Sequence, residues 1–240
     1  MASGSEFRMP HFGRERLQAR SSIPRHRHRD GYIAVVLAGG YQEAGFAGRL
    51  NLRPGDVVVH RRYDAHVDHV GTCGAELINL PLPPGLSLPA AFRIADPDAV
   101  ARHAESDPIA AAALLQPAAE IHAELDWVDQ LAAQLVRNPG QRLYDWAMAA
   151  GLAPATLSRG FRLAYGVGPA RFRREARAYA AMAAIERSRE PLAAIAADCG
   201  FADQAHLTRT VVELTGRPPG AWRTSNLFKR SEGSSPKPST

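Results

Sequence analysis

Two sets of residues in this sequence have the types and spacing to do chemistry, and they lie far apart along the chain. Near its start His26 and His28 stand two apart, with His60 and His66 further on. Residues two apart on a strand share a face, so a His-x-His pair can turn two imidazoles towards one ligand or ion. Towards the other end, short polar and guanidinium side chains collect in two places. One holds Ala155, Thr156, Ser158 and Arg159, the other Gln204, Ala205, Thr208 and Arg209. Groups of this size reach base edges or phosphates when a helix carries them into a major groove. Cys73 and Cys199 are too few and too scattered for a disulfide framework or a cysteine zinc site. Cys199 reads as a packing residue.

The second set sits on a duplication. Leu143 to Arg173 reads LYDWAMAAGLAPATLSRGFRLAYGVGPARFR, and Leu192 to Arg223 reads LAAIAADCGFADQAHLTRTVVELTGRPPGAWR. Leu143 faces Leu192, Ala147 faces Ala196 and Gly151 faces Gly200. After one extra residue in the second copy, Leu157 faces Leu207, Arg159 faces Arg209, Gly166 faces Gly216 and Pro169 faces Pro219. Each copy has the anatomy of a helix-turn-helix. A short helix keeps a small residue, Ala147 or Ala196, where the next helix must come close. A glycine, Gly151 or Gly200, takes the left-handed conformation that ends it. Leu152 or Phe201 plugs the core beneath the turn, and a second helix turns Leu157 and Phe161, or Leu207 and Val211, inward.

Between the copies the pattern predicts a helix from Pro169 to about Arg187, with Phe172, Ala176, Tyr179 and Ala183 on one face. About nineteen residues at roughly 1.5 Å each span near 28 Å. That length suits two recognition helices about one duplex turn apart, roughly 34 Å. One chain would then read two successive major-groove segments. Arg171, Arg173, Arg174 and Arg177 open this helix as candidate phosphate contacts, Arg173 foremost.

Here the text resembles the DNA-binding domain of the AraC/XylS family of transcription regulators, over roughly Leu125 to Arg223. The segments IAADCGF, LTRT and GRPPGAWR carry the resemblance. It implies base or phosphate contacts on Ala155, Ser158 and Arg159 in the first recognition helix, and on Gln204, Ala205, Thr208 and Arg209 in the second. It also implies a DNA operator and RNA polymerase as partners, more often as an activator. Two positions depart from the family. Ala153, followed by Pro154, replaces the usual serine cap of the first recognition helix, and Val211 replaces an aromatic. Losing the cap costs about 1 kcal/mol, partly offset by proline in the first turn.

The opening region is strand-like. The runs are Tyr32–Leu37, Arg49–Leu52, Asp56–His60 and Ala75–Leu82, with Gly39-Gly40, Pro54-Gly55 and Gly71 between them. The region resembles the cupin-like sensor domains of many AraC-type regulators, through His26-x-His28, Gly40, Pro54-Gly55-Asp56 and His66. That resemblance implies a metal set of His26, His28 and His66 holding zinc or iron. The family's glutamate position falls near Tyr32 or Ile33, neither of which can replace it. Arg25, Arg27 and Arg29 flank the pair and oppose a cation. A small-molecule effector pocket lined by His26, His28, Tyr41, His60 and His66 is the competing expectation. Asp68 and His69 read as exposed loop residues.

The elements that must position these groups give an α+β chain. A cupin-like β-barrel, or jelly roll, is followed by an all-α domain of two helix-turn-helix units joined by a linker helix. Residues 1–20 are expected to be a flexible N-terminal segment, with 1–7 a polar leader such as a cloning remnant. Residues 21–90 form the sensor domain, 91–123 a helical linker or homodimer-forming segment, 124–226 the DNA-binding domain, and 227–240 a disordered tail. The 240 residues, 45% hydrophobic and 22% charged, allow two modest folded domains. A net charge of +5, nearly all from arginine, favours a polyanionic partner. No apolar run approaches membrane-spanning length, so the expectation is a cytoplasmic regulator that is not an enzyme and has no membrane partner. A metal-dependent cupin enzyme fused to a DNA-binding domain is the alternative.

Overall fold

The computed structural model describes residues 7–8, 10–123, 126–138 and 140–223. The expected leader and C-terminal tail lie outside them, apart from Phe7. The chain divides into two compact units, Met1–Phe172 and Arg173–Thr240.

The first unit opens as a sheet-rich region. Its strands are β1 (Phe7–Arg8), β2 (Gly13–Leu17), β3 (Ser22–His28), β4 (Tyr32–Gly45), β5 (Gly48–Leu52), β6 (Asp56–His60), β7 (Ala65–Pro81), β8 (Ala91–Arg93) and β9 (Ala119–Glu120). They hydrogen-bond in the order β1-β3-β7-β4-β6-β8-β9, with β2 also on β7 and β5 also on β4. This path runs from β1 to β9 without returning on itself, so the expected closed barrel is not formed. Sheet and helices follow one another as an α+β chain.

β4 and β7 are the long members, 14 and 17 residues, and they pair along most of their length. The sequence reading broke both at glycines. Those glycines are bends within the strands: the β4–β7 register shifts between Val36 and Ala38 and again between Gly39 and Tyr41. At Gly39, where φ is +68°, an added Cβ would stand 2.1 Å from the carbonyl oxygen of Gly74. Only glycine lets the two backbones approach so closely.

β2 pairs with β7 from Gly13 to Leu17, so much of the segment expected to be free is part of the sheet. The stretch expected as a helical linker does carry helices, α1 (Pro97–Ala104) and α2 (Pro108–Ala113), started by the side chains of Asp96 and Asp107. Its ends are strands: β8 pairs with β6 and β9 with β8. Val100, Ala101, Ala104, Ala111 and Ala112 of these helices join Ile33, Val35, Val57, Ile78 and Phe92 in one core. Asp56, after the Pro54-Gly55 turn, takes Nε and Nη2 of Arg93 at 2.7 and 2.5 Å, which ties β8 to β6.

Helices follow: α3 (Trp127–Arg137), α4 (Leu143–Ala149), α5 (Pro154–Tyr165) and α6 (Pro169–Arg187), the last spanning the division between the units. The second unit continues with α7 (Leu192–Asp198) and α8 (Gln204–Thr215). On α6, Ala176 is buried as expected, but Tyr179 and Ala183 are only half-buried. Ala178, Ala181, Met182 and Ile185 are buried there as well. No described helix is long and apolar enough to cross a membrane.

Gly39→Ala is expected to lower the stability of the first unit by about 2–4 kcal/mol, combining left-handed strain with an enforced shift of β7. Urea unfolding followed by circular dichroism measures it.

Candidate functional site

The two helix-turn-helix units close in the same way. In the first, Leu152 N–H donates to the Ala147 carbonyl at 2.9 Å across Gly151, whose φ is +66°. In the second, Phe201 N–H donates to the Ala196 carbonyl at 2.8 Å across Gly200, whose φ is +71°. These are the residues aligned by the duplication, and the bonds are those of a helix ended by a left-handed residue. Ala147 and Ala196 are each 1% exposed, so the small side chains do sit where the next helix approaches. Leu157, Phe161 and Tyr165 are buried on α5, and Leu207, Thr210, Val211 and Leu214 on α8. Both helices end on a left-handed glycine, Gly166 and Gly216.

The outer faces carry the expected residues. Ala155, Thr156, Ser158 and Arg159 are exposed on α5. Gln204, Ala205 and Arg209 are exposed on α8, with Thr208 half-buried beside them. The starts of these helices differ. Ala153 gives α5 no side-chain cap and Pro154 follows it, whereas Asp203, overlooked in the sequence, accepts from His206 N–H at 2.6 Å and caps α8. On α6, Arg171 and Arg174 are exposed, while Arg173 and Arg177 are half-buried. Cys199 is buried and its thiol is pushed up by burial, as a packing residue would be.

In the sheet-rich region the strand register gathers the histidines. His26 on β3 stands opposite His66 on β7, and Tyr32 on β4 stands opposite His60 on β6. The His26 and His66 rings lie 4.3 Å apart, His60 and His66 4.3 Å, and His26 and His28 4.9 Å. All four are buried. Sequence reasoning missed two carboxylates here. Glu43 faces Asp68 across β4 and β7, and both are 5% exposed, so Asp68 is no loop residue. The period-two run His66-x-Asp68, and Tyr41-x-Glu43 on the partner strand, is the signal that could have found them. His69 belongs to β7 as well, with Nδ1 3.1 Å from the Ser22 hydroxyl.

Glu43 Oε2 lies 3.4 Å from His60 Nε2 and 3.5 Å from the Tyr41 hydroxyl. Burial pushes the Glu43 carboxyl well above the usual range, aided by Asp68, and lifts Asp68 to about 8. The same burial lowers His26 and His28 to about 4 and takes His60 and His66 well below their usual value. The imidazoles are therefore neutral at physiological pH, the form that binds a metal or accepts a hydrogen bond. A cavity of about 70 Å³ opens onto His26, His28, Tyr41, Glu43, His66 and Asp68.

The strands that carry this cluster turn their other face to the first helix-turn-helix unit. Arg25, next to His26, donates from Nη1 to the Tyr165 carbonyl at 3.3 Å, and its guanidinium lies 5.3 Å from the Phe172 ring centre. Ala44, next to Glu43, and Val67, next to His66, share one core with Leu131, Leu135, Leu157, Phe161, Tyr165 and Phe172. On β5, Arg49 reaches Asp126 at 2.5 Å and Asp129 at 2.9 Å, both on the first turn of α3 or its cap. Asp129 accepts in turn from the Tyr165 hydroxyl at 2.8 Å. Burial raises both the Asp129 carboxyl and the Tyr165 phenol, the latter helped by Asp129 itself.

Tyr165→Phe leaves one oxygen of the buried Asp129 carboxylate without its donor and is expected to cost about 1.5–3 kcal/mol in urea unfolding of the first unit. Gly200→Val puts a β-branched residue in the left-handed region and is expected to melt the second unit before the first. Differential scanning calorimetry separates the two transitions.

Residues 146–225 match the model of a helix-turn-helix domain family. No curated protein sequence matches the chain. Among solved structures, the DNA-binding domain of the global transcriptional factor AdpA in complex with a target DNA is 24% identical, with a TM-score of 0.42, over 45% of this chain and 100% of that one. ToxT from Vibrio cholerae with a bound unsaturated fatty acid is 9% identical, with a TM-score of 0.41, over 88% of this chain and 93% of that one. A probable AraC family transcriptional regulator from Rhodopseudomonas palustris is 18% identical, with a TM-score of 0.37, over 41% of this chain and 95% of that one. The duplicated hairpins and the family match agree on the same segment, and residues 146–225 form a helix-turn-helix domain of the AraC/XylS type.

Proposed function

We propose that this chain is a sequence-specific DNA-binding transcription regulator of the AraC type, controlled by a ligand in its sheet-rich region. The observation that carries the reading is the pair of helix-turn-helix units with matching closing bonds and exposed polar faces, inside a segment that fits one helix-turn-helix family. α5 and α8 are the recognition helices and enter two successive major-groove segments of the operator. Ser158, Arg159, Gln204, Thr208 and Arg209 supply hydrogen bonds, Thr156 adds a hydroxyl, and Ala155 and Ala205 offer apolar contact to thymine methyls. Arg173, with the exposed Arg171 and Arg174, neutralises phosphates.

The effector site is the buried cluster of His26, His28, Tyr41, His60 and His66, in which His26, His28 and His66 are also a possible ligand set for zinc or iron. Strand alternation supports control from that site. Arg25 and Val67 are the chain neighbours of His26 and His66, Ala44 is that of Glu43 beside them, and all three touch the first helix-turn-helix unit. Coupling of this kind requires that a ligand favour one arrangement of that contact over another. Ile109 and Leu114, on and beside α2, are 60% and 55% exposed, which supports a homodimer through this part of the chain. RNA polymerase is the further partner of an activator. A metal-dependent enzyme carrying a DNA-binding appendage is the second reading, favoured by the same histidine cluster; it requires turnover that is lost in His26→Ala.

Selection of bound duplexes from a random pool tests the regulator reading. A defined consensus of two half-sites about one turn apart is expected, and equal, salt-governed affinity for every duplex overturns it. On the selected duplex, Arg209→Ala is expected to weaken binding by about 1–3 kcal/mol and relax one base position if the guanidinium reads an edge. A uniform loss with the salt slope reduced by about one assigns Arg209 to phosphate.

A further inference from the structure

We propose that Glu43, His60 and His66 are the ligands of a single divalent transition-metal cation, and that this cation is the signal the sheet-rich region reads. The inference rests on the regulator reading and specifies its effector.

One donor atom from each of the three side chains lies within 4.8 Å of the others, and all three residues are buried. The carboxylate oxygen of Glu43 and Nε2 of His60 stand 3.4 Å apart, long for a direct hydrogen bond. Two donors each about 2.1 Å from a tetrahedral ion stand roughly 3.4 Å from one another. The pair is thus spaced as ligands of a common ion are. Nδ1 of His66 is buried without a hydrogen-bond partner among the described residues, a costly arrangement for a site with no ligand of its own. The Tyr41 hydroxyl lies against Glu43 and can orient it, as outer-shell groups orient metal ligands.

Size and charge narrow the ligand further. The cavity of about 70 Å³, which is lined by Glu43 and His66 but not by His60, is well below the roughly 300–1,000 Å³ that organic effectors occupy. It suits an ion with a few waters. The alternative set His26, His28 and His66 brings no carboxylate. The set with Glu43 includes a carboxyl that can give up its proton to the solvent on binding and then offset the charge of a buried cation. Two imidazoles and one carboxylate fit zinc or ferrous iron, whereas calcium and magnesium prefer oxygen throughout.

The test uses the full chain stripped with a chelator and titrated with cobalt(II) chloride, reading the ligand-field absorbance, with zinc added afterwards in competition. One equivalent of cobalt is expected to bind and be displaced by zinc. Glu43→Gln and His60→Gln are expected to weaken cobalt binding beyond the roughly 10–100-fold of an outer-shell change, and His28→Gln to stay within it. Circular dichroism of each variant shows whether it is folded, and Glu43→Asp replaces Glu43→Gln if that variant is not. No ligand-field band in the folded chain overturns the proposal. So does a loss in His28→Gln with binding kept in Glu43→Gln. On the selected duplex, cobalt loading is expected to shift affinity by about 5–150-fold, and equal affinity with and without it overturns the signalling role. Cobalt binding by a chain with no preferred duplex sinks the regulator reading and leaves the metal centre standing.

Discussion

The structure depends on the alternation of side chains along three paired strands. On β3, β4 and β7 one residue points into the buried polar cluster and the next points to the helices: His26 after Arg25, Glu43 before Ala44, His66 before Val67. Pleating sets this two-residue period, and pairing locks it, because a slip of one register place would exchange the two faces. A polar site and an apolar docking surface thereby share backbone, with nothing between them. A shift of β7 that repositions His66 also moves Val67.

The helical contact adds directional bonds to that apolar surface. Asp129 joins an arginine from the sheet to a tyrosine at the end of α5, and its carboxylate is nearly sealed from water. A buried carboxylate so placed contributes more to specifying one arrangement than to net stability, since its desolvation offsets much of the attraction. Tyr165 also packs its ring against Phe161 and Phe172 within the core of the first helix-turn-helix unit. The end of α5 is therefore held by both the helical and the sheet side.

The helical half was legible in the sequence because its signals are local. The helix predicted from Pro169 to about Arg187 has the bounds that the structure shows, and Gly151, Gly166, Gly200 and Gly216 sit where the chain needs a left-handed residue. The sheet was read less well because its signals are not local. β6 was placed at Asp56–His60, but β4 and β7 were cut at Gly39-Gly40 and Gly71, where long strands bend without ending. β2 was overlooked, since GRERL alternates polar and apolar residues too weakly to announce a strand that only pairing with β7 stabilises. The histidines drew notice by their spacing. Glu43 and Asp68 did not, because their juxtaposition follows from a register between residues twenty-five apart.

The compact unit that ends at Phe172 has a consequence for how such chains can be rearranged. A cut between the sheet-rich region and the helices, made where the family resemblance begins, would pass through a shared interior. It would strip Ala44 and Val67 from a helical core and leave Asp129 without Arg49. Grafting a foreign sheet onto these helices would succeed only if the graft brought equivalents of Arg25, Ala44, Arg49 and Val67. In this protein modularity ends at a seam that runs along side chains, and inheritance of the first helical hairpin is tied to inheritance of the sheet beneath it.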